Sequence, residues 1–402
     1  MIDVLRSIRL NHLFLAGVFL TLLLSGITRF EPAPYDILLL LVWSFGLTVG
    51  VWRFPLPLKA DLPTVIALIG TGLLIVFVLI NVVNIAIASK SIHSVIYGGV
   101  TIYLVLTAIF FWGTLYTYGL RGLKVITHGY LIAAVMSALV GIVGSFGFQP
   151  FYELFTTFGG RATALFKDPN VLSPFLAPIA LYAFLQAIYS RRTSHKVAWL
   201  GAFIVLAMGV LLSYSRAGWL NLGLSFTLFI LLSGLVVQRP QIVVLVFGLF
   251  ILTVSVVSLN PYLKSFILSR FGLASYDIDR FSNQQLALEL ALENPAGLGP
   301  GQAESVLDFA VHNLYLRVLL ENGWVGLLVL LLVFSLTISF VTWRAITKRG
   351  SAKMYYAFVA AALVGQMINS LIIDSLHWRH LFLLLALAWV KDETATLLDN
   401  SR

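Results

Sequence analysis

Three short segments hold the residues whose chemistry membrane packing alone does not explain. The first, GGRATALFKDPN (159–170), sets Arg161 after two glycines. A guanidinium on such a hinge can grip a phosphate through two parallel N–H bonds; equally, a snorkelled arginine can anchor the chain at a headgroup layer. The DPN piece has a purely structural reading, because Asp168 and Asn170 are N-capping types and Pro169 suits a first helical turn. The second segment, SYSRAGW (213–219), joins two apolar runs with almost no loop. Arg216 therefore stands at or just inside the apolar layer, where a cation needs an anion or a wet cavity. Snorkelling is again the alternative, and Ser213 and Ser215 suit the backbone groups of a helix junction. The third segment starts at Arg280, crosses the Pro/Gly hinge NPAGLGPG (294–301) and ends in HNLYLRVLLENGWVG (312–326). His312 and Asn313 open an apolar helix there, and steps of three and four place Leu316, Leu319 and Gly323 on the His312 face. An imidazole at a helix mouth can accept a proton from a hydroxyl near neutral pH; a lone histidine is also a common interfacial polar residue.

The elements that hold these segments follow from composition. Of 402 residues, 59% are hydrophobic and 11% charged, against about 25% charged in soluble domains, so a soluble fold is excluded. At roughly 20 residues per membrane helix, the apolar residues supply on the order of a dozen spans. Long unbroken runs such as IVVLVFGLFILTVSVVSL (242–259) exclude the period-two pattern of an outer-membrane barrel. The expected fold is an all-α polytopic membrane protein, a single domain over 1–402, with twelve helices near 10–29, 34–52, 62–83, 93–118, 123–146, 170–189, 197–213, 218–237, 240–259, 313–342, 354–373 and 378–391. The first run is read as a retained anchor, since no small-residue cleavage site follows it.

Threading divides the charge. Sixteen of the 26 Lys+Arg fall on the side of both termini, which makes the termini cytoplasmic by the positive-inside rule. The other ten, including Arg161, Arg216, Arg270, Arg280, Arg317 and Arg379, face outward. A long outward loop, 260–312, is expected to carry short helices over the site, because its QQLALELALE stretch has helical spacing. The chain has no cysteine, which removes disulfides and thiolate chemistry together. The net charge of +9 does not point to nucleic acid, because most of it lies in cytoplasmic loops.

The pattern His312-Asn313, nine residues, Gly323, two residues, Gly326 resembles the signature of the lipopolysaccharide O-antigen ligase family, which shares a superfamily with O-antigen polymerases and protein O-oligosaccharyltransferases. Arg216 in SYSRAGW, Arg161 ahead of DPN, and Arg280 ahead of the hinge resemble the arginines of that superfamily, in the same order and over most of the chain. The resemblance implies a metal-independent, inverting, membrane-embedded glycosyltransferase of the GT-C type in the bacterial inner membrane, working at the periplasmic face. Its donor would be an undecaprenyl-diphosphate-linked O-antigen and its acceptor a lipid A-core oligosaccharide, with the bilayer as its other partner. His312 would be the base. Arg161, Arg216, Arg280 and Arg270 would hold the donor diphosphate, with Arg216 and Arg280 also acting in catalysis and Asn313, Asp168, Asn170 and Tyr315 in support. No cofactor and no metal is expected, since arginines can stabilise a departing diphosphate in a cation's place. Only KDETATLLDNSR follows the last span, whereas protein-glycosylating relatives carry more, so that branch is not expected.

The alternatives weighed alongside are a polymerase that uses a second polyprenyl-linked glycan, a peptidoglycan-type polymerase leaning on Asp277 or Asp279, and a transporter of lipid-linked glycan or anions. A transporter would place its site at the midplane, commonly within an internal repeat, and no repeat is found. His377 and His380 in HWRH sit three apart as a possible metal pair without a third ligand. Glu289 and Glu293 share one helix face, so they cannot flank a bond as a glycosidase pair does.

Overall fold

A computed structural model describes residues 2–55, 60–89, 91–147, 149–157, 160–238, 275–307 and 310–396, with isolated positions between 240 and 259. These residues form helices α1 (Ile2–Leu23), α2 (Pro34–Thr48), α3 (Leu62–Asn84), α4 (Ile92–Ser145), α5 (Phe151–Phe155), α6 (Pro169–Tyr189), α7 (Thr193–Leu212), α8 (Arg216–Ser233), α9 (Leu235–Gln238), α10 (Ser275–Glu293), α11 (Ala303–Val306), α12 (Leu314–Thr347), α13 (Gly350–Asn369), α14 (Arg379–Ala388) and α15 (Asp392–Thr396). The strands are a two-residue antiparallel pair, β1 (Thr156–Thr157) and β2 (Arg161–Ala162).

Seven of these helices are long and apolar enough to cross a membrane, and α2 and α14 are shorter apolar helices. The chain is an all-α, multi-pass membrane protein. Each expected run contains a helix except 240–259, which lies almost wholly outside the described residues. The runs at 93–118 and 123–146 are the two halves of α4, which turns at Gly119 (φ 51°, ψ −126°). The first helix stops at Leu23, short of residue 29, and a 3-10 turn follows over Leu24–Gly26. Gly26 presses against α4 there, where an added Cβ would lie 2.4 Å from Ser137 Oγ.

The helices sort their surfaces by environment. Leu79, Val82, Leu328 and Leu332 are exposed on the outside of α3 and α12, as suits side chains facing lipid. α6 is the central helix: 83% of its apolar window is buried, and it lies against α4, α7, α8 and α13. Gly365 of α13 closes on α8, where Asn221 donates to Gln366 Oε1 at 3.4 Å.

Contacts between distant segments define two ends of the bundle. At one end Thr28 N–H donates to Leu165 O, Arg161 reaches Ser213 O, Gln302 reaches Ser94, and Leu314 N–H donates to Ser370 O. At the other end Asp392 receives both Arg344 and Lys348, and Tyr118 Oη donates to Val51 O. All three motif segments therefore meet at the first end.

The expected continuous helix from 313 is interrupted. Gly323 has φ 67° and ψ −172°, and the Pro/Gly hinge inserts at this break. Leu298 and Gly299 N–H donate to Leu320 and Glu321 carbonyls, and Trp324 N–H donates to Pro295 O. Asn84 of α3 closes the joint by donating to Ala296 O and Glu321 O. Only glycine fits, because a Cβ on Gly323 would lie 2.4 Å from Pro295 O and one on Gly297 2.5 Å from Glu321 O. Both also have positive φ, which penalises other residues. Gly323→Ala should therefore lose about 1–3 kcal/mol and undock the hinge. Limited proteolysis in detergent checks this, with new cleavage expected between 294 and 312.

Candidate functional site

Local sequence features place the side chains at the starts of α6, α8 and α12. Asp168 caps α6 by accepting from Asn170 N–H at 2.7 Å, with Pro169 at the first helical position. Asn170 is not a cap: its Oδ1 accepts from Arg161 Nη2 at 2.9 Å. Arg161 Nε also donates to Ser213 O at 3.1 Å. The β2 arginine thus ties the start of α6 to the α7–α8 junction.

That junction is a sharp turn built by its serines. Ser213 Oγ donates to Val210 O and accepts from Ser215 N–H, Ser215 caps α8 by accepting from Gly218 N–H, and Tyr214 takes φ 50°. Arg216 follows as the first residue of α8 and is half-buried. Gly218 lets α8 approach α6 so closely that an added Cβ would lie 2.1 Å from Ser173 Oγ. Arg161 and Arg216 are consequently held at one junction.

His312 does not begin the helix. Its φ is 50°, and Asn313 is the cap, accepting from Tyr315 and Leu316 N–H. The expectation that His312 shares a helical face with Leu316, Leu319 and Gly323 is thereby corrected, since the chain is left-handed at His312 and broken at Gly323. Tyr315 donates its hydroxyl to Met367 O at 2.9 Å, tying α12 to α13. Gln284 of α10 donates to the carbonyls of Val311 and His312. Below it, Ala287, Ala291, Ala303, Leu307, Val311, Leu319 and Leu320 form a separate apolar cluster. The outer segments are thus a packed layer.

The charges that act on His312 come from four elements. Burial holds the half-buried imidazole below its usual 6.5, and Arg280 on α10 adds to this; Asp168 and Asp374 pull upward and Arg317 downward. The ring is therefore neutral at pH 7. If it serves as a base, activity should rise with pH through an apparent pKa below 6.5 and then level off. Removing a positive neighbour by Arg280→Ala should move that limb upward, toward 6.5, in a profile of transfer rate against pH.

Sequence reasoning missed the ion cluster beneath. Arg317, 5% exposed, bonds to Glu304 at 2.6 Å, Asp374 at 2.8 Å and Glu321 at 3.2 Å, and its guanidinium lies over the Tyr97 ring. These groups come from α11, α12, α4 and the turn before α14. The one visible sequence signal was the i,i+4 spacing of Arg317 and Glu321 inside an apolar helix. Arg270 and the side chain of Asp277 lie outside the described residues. Asp279, Glu289 and Glu293 are exposed, and Gln285 donates to Glu289. In HWRH, His377 pairs with Thr101 at 3.0 Å and Arg379 grips Asp36 through two nitrogens, while His380 lies between Trp378 and Phe175. Among the described residues, no three His, Cys, Asp or Glu converge as metal ligands.

The structure thus brings Arg161 to the Arg216 junction and sets Arg280 among the charges that act on His312. No curated protein matches the chain. Residues 201–331, which include Arg216, Arg280, His312, Gly323 and Gly326, match the model of a family described as O-antigen ligase. Over that segment, a third of its length, the chain is similar to the O-antigen ligase family.

Proposed function

We propose that the protein is an O-antigen ligase of the bacterial inner membrane, with twelve spans, cytoplasmic termini and its site facing the periplasm. It transfers O-antigen polysaccharide from undecaprenyl diphosphate to a sugar hydroxyl of lipid A-core. The observation that carries this reading is His312 at the same end of the bundle as Arg161, Arg216 and Arg280, with His312, Arg216 and Arg280 inside the segment that matches the family.

Outside the cytoplasm a donor must bring its own leaving group, and a lipid diphosphate does. As the acceptor oxygen attacks the anomeric carbon, its proton passes to a His312 ring nitrogen and the bond to the diphosphate breaks. Attack from the face opposite the leaving group inverts the anomeric centre. The diphosphate gains negative charge as it departs, and Arg216 and Arg280 bind it more strongly in that state than before, which is where rate is gained. Arg161 holds the α6–α8 junction in register and adds charge from that side. Asn313 and Asp168 fix the two helix mouths. A metal is not needed in this scheme, so a chelator is expected to leave the rate unchanged.

The second reading, a polymerase, shares every one of these steps and differs only in the acceptor. A lipopolysaccharide gel of a deletion strain separates them. Ligase function predicts that long chains vanish from lipid A while polyprenyl-linked polymer accumulates. A ladder reduced to a single repeat would mean a polymerase, and an unchanged ladder would overturn both.

A further inference from the structure

Helix α10 lies across the mouth of the bundle and does not rise from it. Gln284, near its middle, donates to the carbonyls of Val311 and His312, and just past its end Pro295 O accepts from Trp324 N–H. α10 therefore runs antiparallel to the first turns of α12, against which it packs. Those turns cross the mouth themselves: Leu314 N–H donates to Ser370 O at the end of α13, while Glu321 O accepts from Asn84 at the end of α3. Both ends of this stretch are level with the ends of helices that run the length of the bundle.

Steps of three and four divide α10 into three stripes. Arg280, Ala287 and Ala291 share the face turned to the packed layer, where both alanines are fully buried, and the charge of Arg280 acts on His312. Ile278, Phe281, Gln285, Leu288 and Leu292 form a second stripe, all of it exposed. Asp279, Ser282, Leu286, Glu289 and Glu293 form the third, also exposed, with Leu286 its one apolar member. Large apolar side chains along one open flank and carboxylates along the other are the pattern of a helix at a boundary between lipid and water.

The neighbouring surface shows what lies against the apolar flank. At the break where the hinge docks, α12 exposes Trp324 and Val325, and Leu328 and Leu332 continue down its lipid-facing side. Tryptophan is typical of the membrane–water interface, so the end of α10 stands at that level. The apolar stripe then extends the lipid-facing surface of α12 along the mouth, and the acidic flank is left to water, because carboxylates are costly in the apolar layer.

We propose that α10 is an interfacial helix, whose stripe of Ile278, Phe281, Leu288 and Leu292 inserts among the lipids of the leaflet at this end of the bundle. Resting on the glycosyl-transfer reading, this seat holds Arg280 at headgroup depth, where the diphosphate of a lipid-anchored donor lies. Arg280 is then positioned by the bilayer as well as by α12.

The chain has no cysteine, so single-cysteine variants take a nitroxide label without background. Phe281→Cys, Leu288→Cys and Leu292→Cys sample the apolar flank, and Ser282→Cys, Glu289→Cys and Glu293→Cys the acidic one. Each labelled full chain is reconstituted in vesicles of phosphatidylethanolamine and phosphatidylglycerol. Power-saturation EPR then reads collisions with oxygen, which concentrates in lipid, and with a neutral nickel chelate, which stays in water. The oxygen-to-nickel ratio should be several-fold higher at all three apolar-flank positions than on the acidic flank. Equal ratios on the two flanks, or a lipid-like ratio at Leu292→Cys alone, would overturn the seat. So would apolar-flank labels shielded from both reagents, because protein would then cover the stripe. Phe281→Ser with Leu288→Ser adds no charge and should carry a Leu292→Cys label into water, lower transfer, and move the pH limb upward as Arg280→Ala does. A label that enters water while transfer and the pH limb stay unchanged overturns the positioning of Arg280. A lipid-seated stripe in a wild type that transfers no glycan would instead overturn the enzymatic reading and leave the seat standing.

Discussion

His312→Ala should insert and fold as the wild type does, yet lose glycan transfer by about 10²–10⁴-fold, the usual contribution of a general base. The fold should survive because the side chain supports nothing else. What the layer uses at position 312 is the carbonyl, which accepts from Gln284, and alanine keeps it. The left-handed φ of 50° is one that histidine adopts more often than alanine, so the exchange adds a small backbone cost that the docked layer around it can carry. What disappears is a neutral imidazole that Arg280 and burial hold below 6.5. Arg216→Ala should produce a comparable loss by another route, through weaker charge stabilisation of the departing diphosphate, with the pH limb retained. Transfer in membranes with purified lipid-linked donor, read beside a fluorescence-detected elution profile, separates catalysis from folding. Full activity in a well-folded His312→Ala would remove the proposed base.

The membrane-spanning frame was legible because spans have a length and composition that lipid imposes. SYSRAGW read as a helix junction and DPN as a helix start, and Ser215 and Asp168 are the caps found there. Local chemistry was sufficient for those. What the sequence hid were contacts between residues far apart in the chain. Arg317 and Asp374 are 57 positions apart, and Asn84 reaches Glu321 across 237; no periodicity encodes such pairings. His312 was placed on the wrong face for a related reason. The face assignment carried the helix of 313–342 back by one residue, whereas Asn313 turns its side chain onto Tyr315 and Leu316 and starts the helix after itself. Gly323 likewise looked like a small residue on a face, whereas its role depends on a hinge some 25 residues earlier that docks against it.

The ion cluster gives the second large effect. Arg317→Ala should destabilise the protein by about 3–5 kcal/mol, the usual result of removing one member of a buried ion set. Glu321 is fully buried, so its charge would be left in a low-dielectric interior with Asp374 nearby and no cation between them. Arg317→Lys should recover only part of the loss, because a single ammonium cannot reach Glu304, Asp374 and Glu321 with the spread of a guanidinium fork. The double variant Arg317→Met with Glu321→Met removes both charges and fills the space with apolar atoms. It should therefore be more stable than Arg317→Ala, although Asp374 and Glu304, which are partly exposed, would be free to turn toward water. Transfer should not recover in step with that stability. Arg317 joins α11, α12 and the turn before α14, the three pieces that frame His312, and a catalytic group 1 Å out of place can lose about 10²-fold. Thermal unfolding in detergent, measured with transfer rates on the same preparations, tests this: a double variant with restored stability and wild-type transfer would mean that the cluster holds the fold alone and does not position the site.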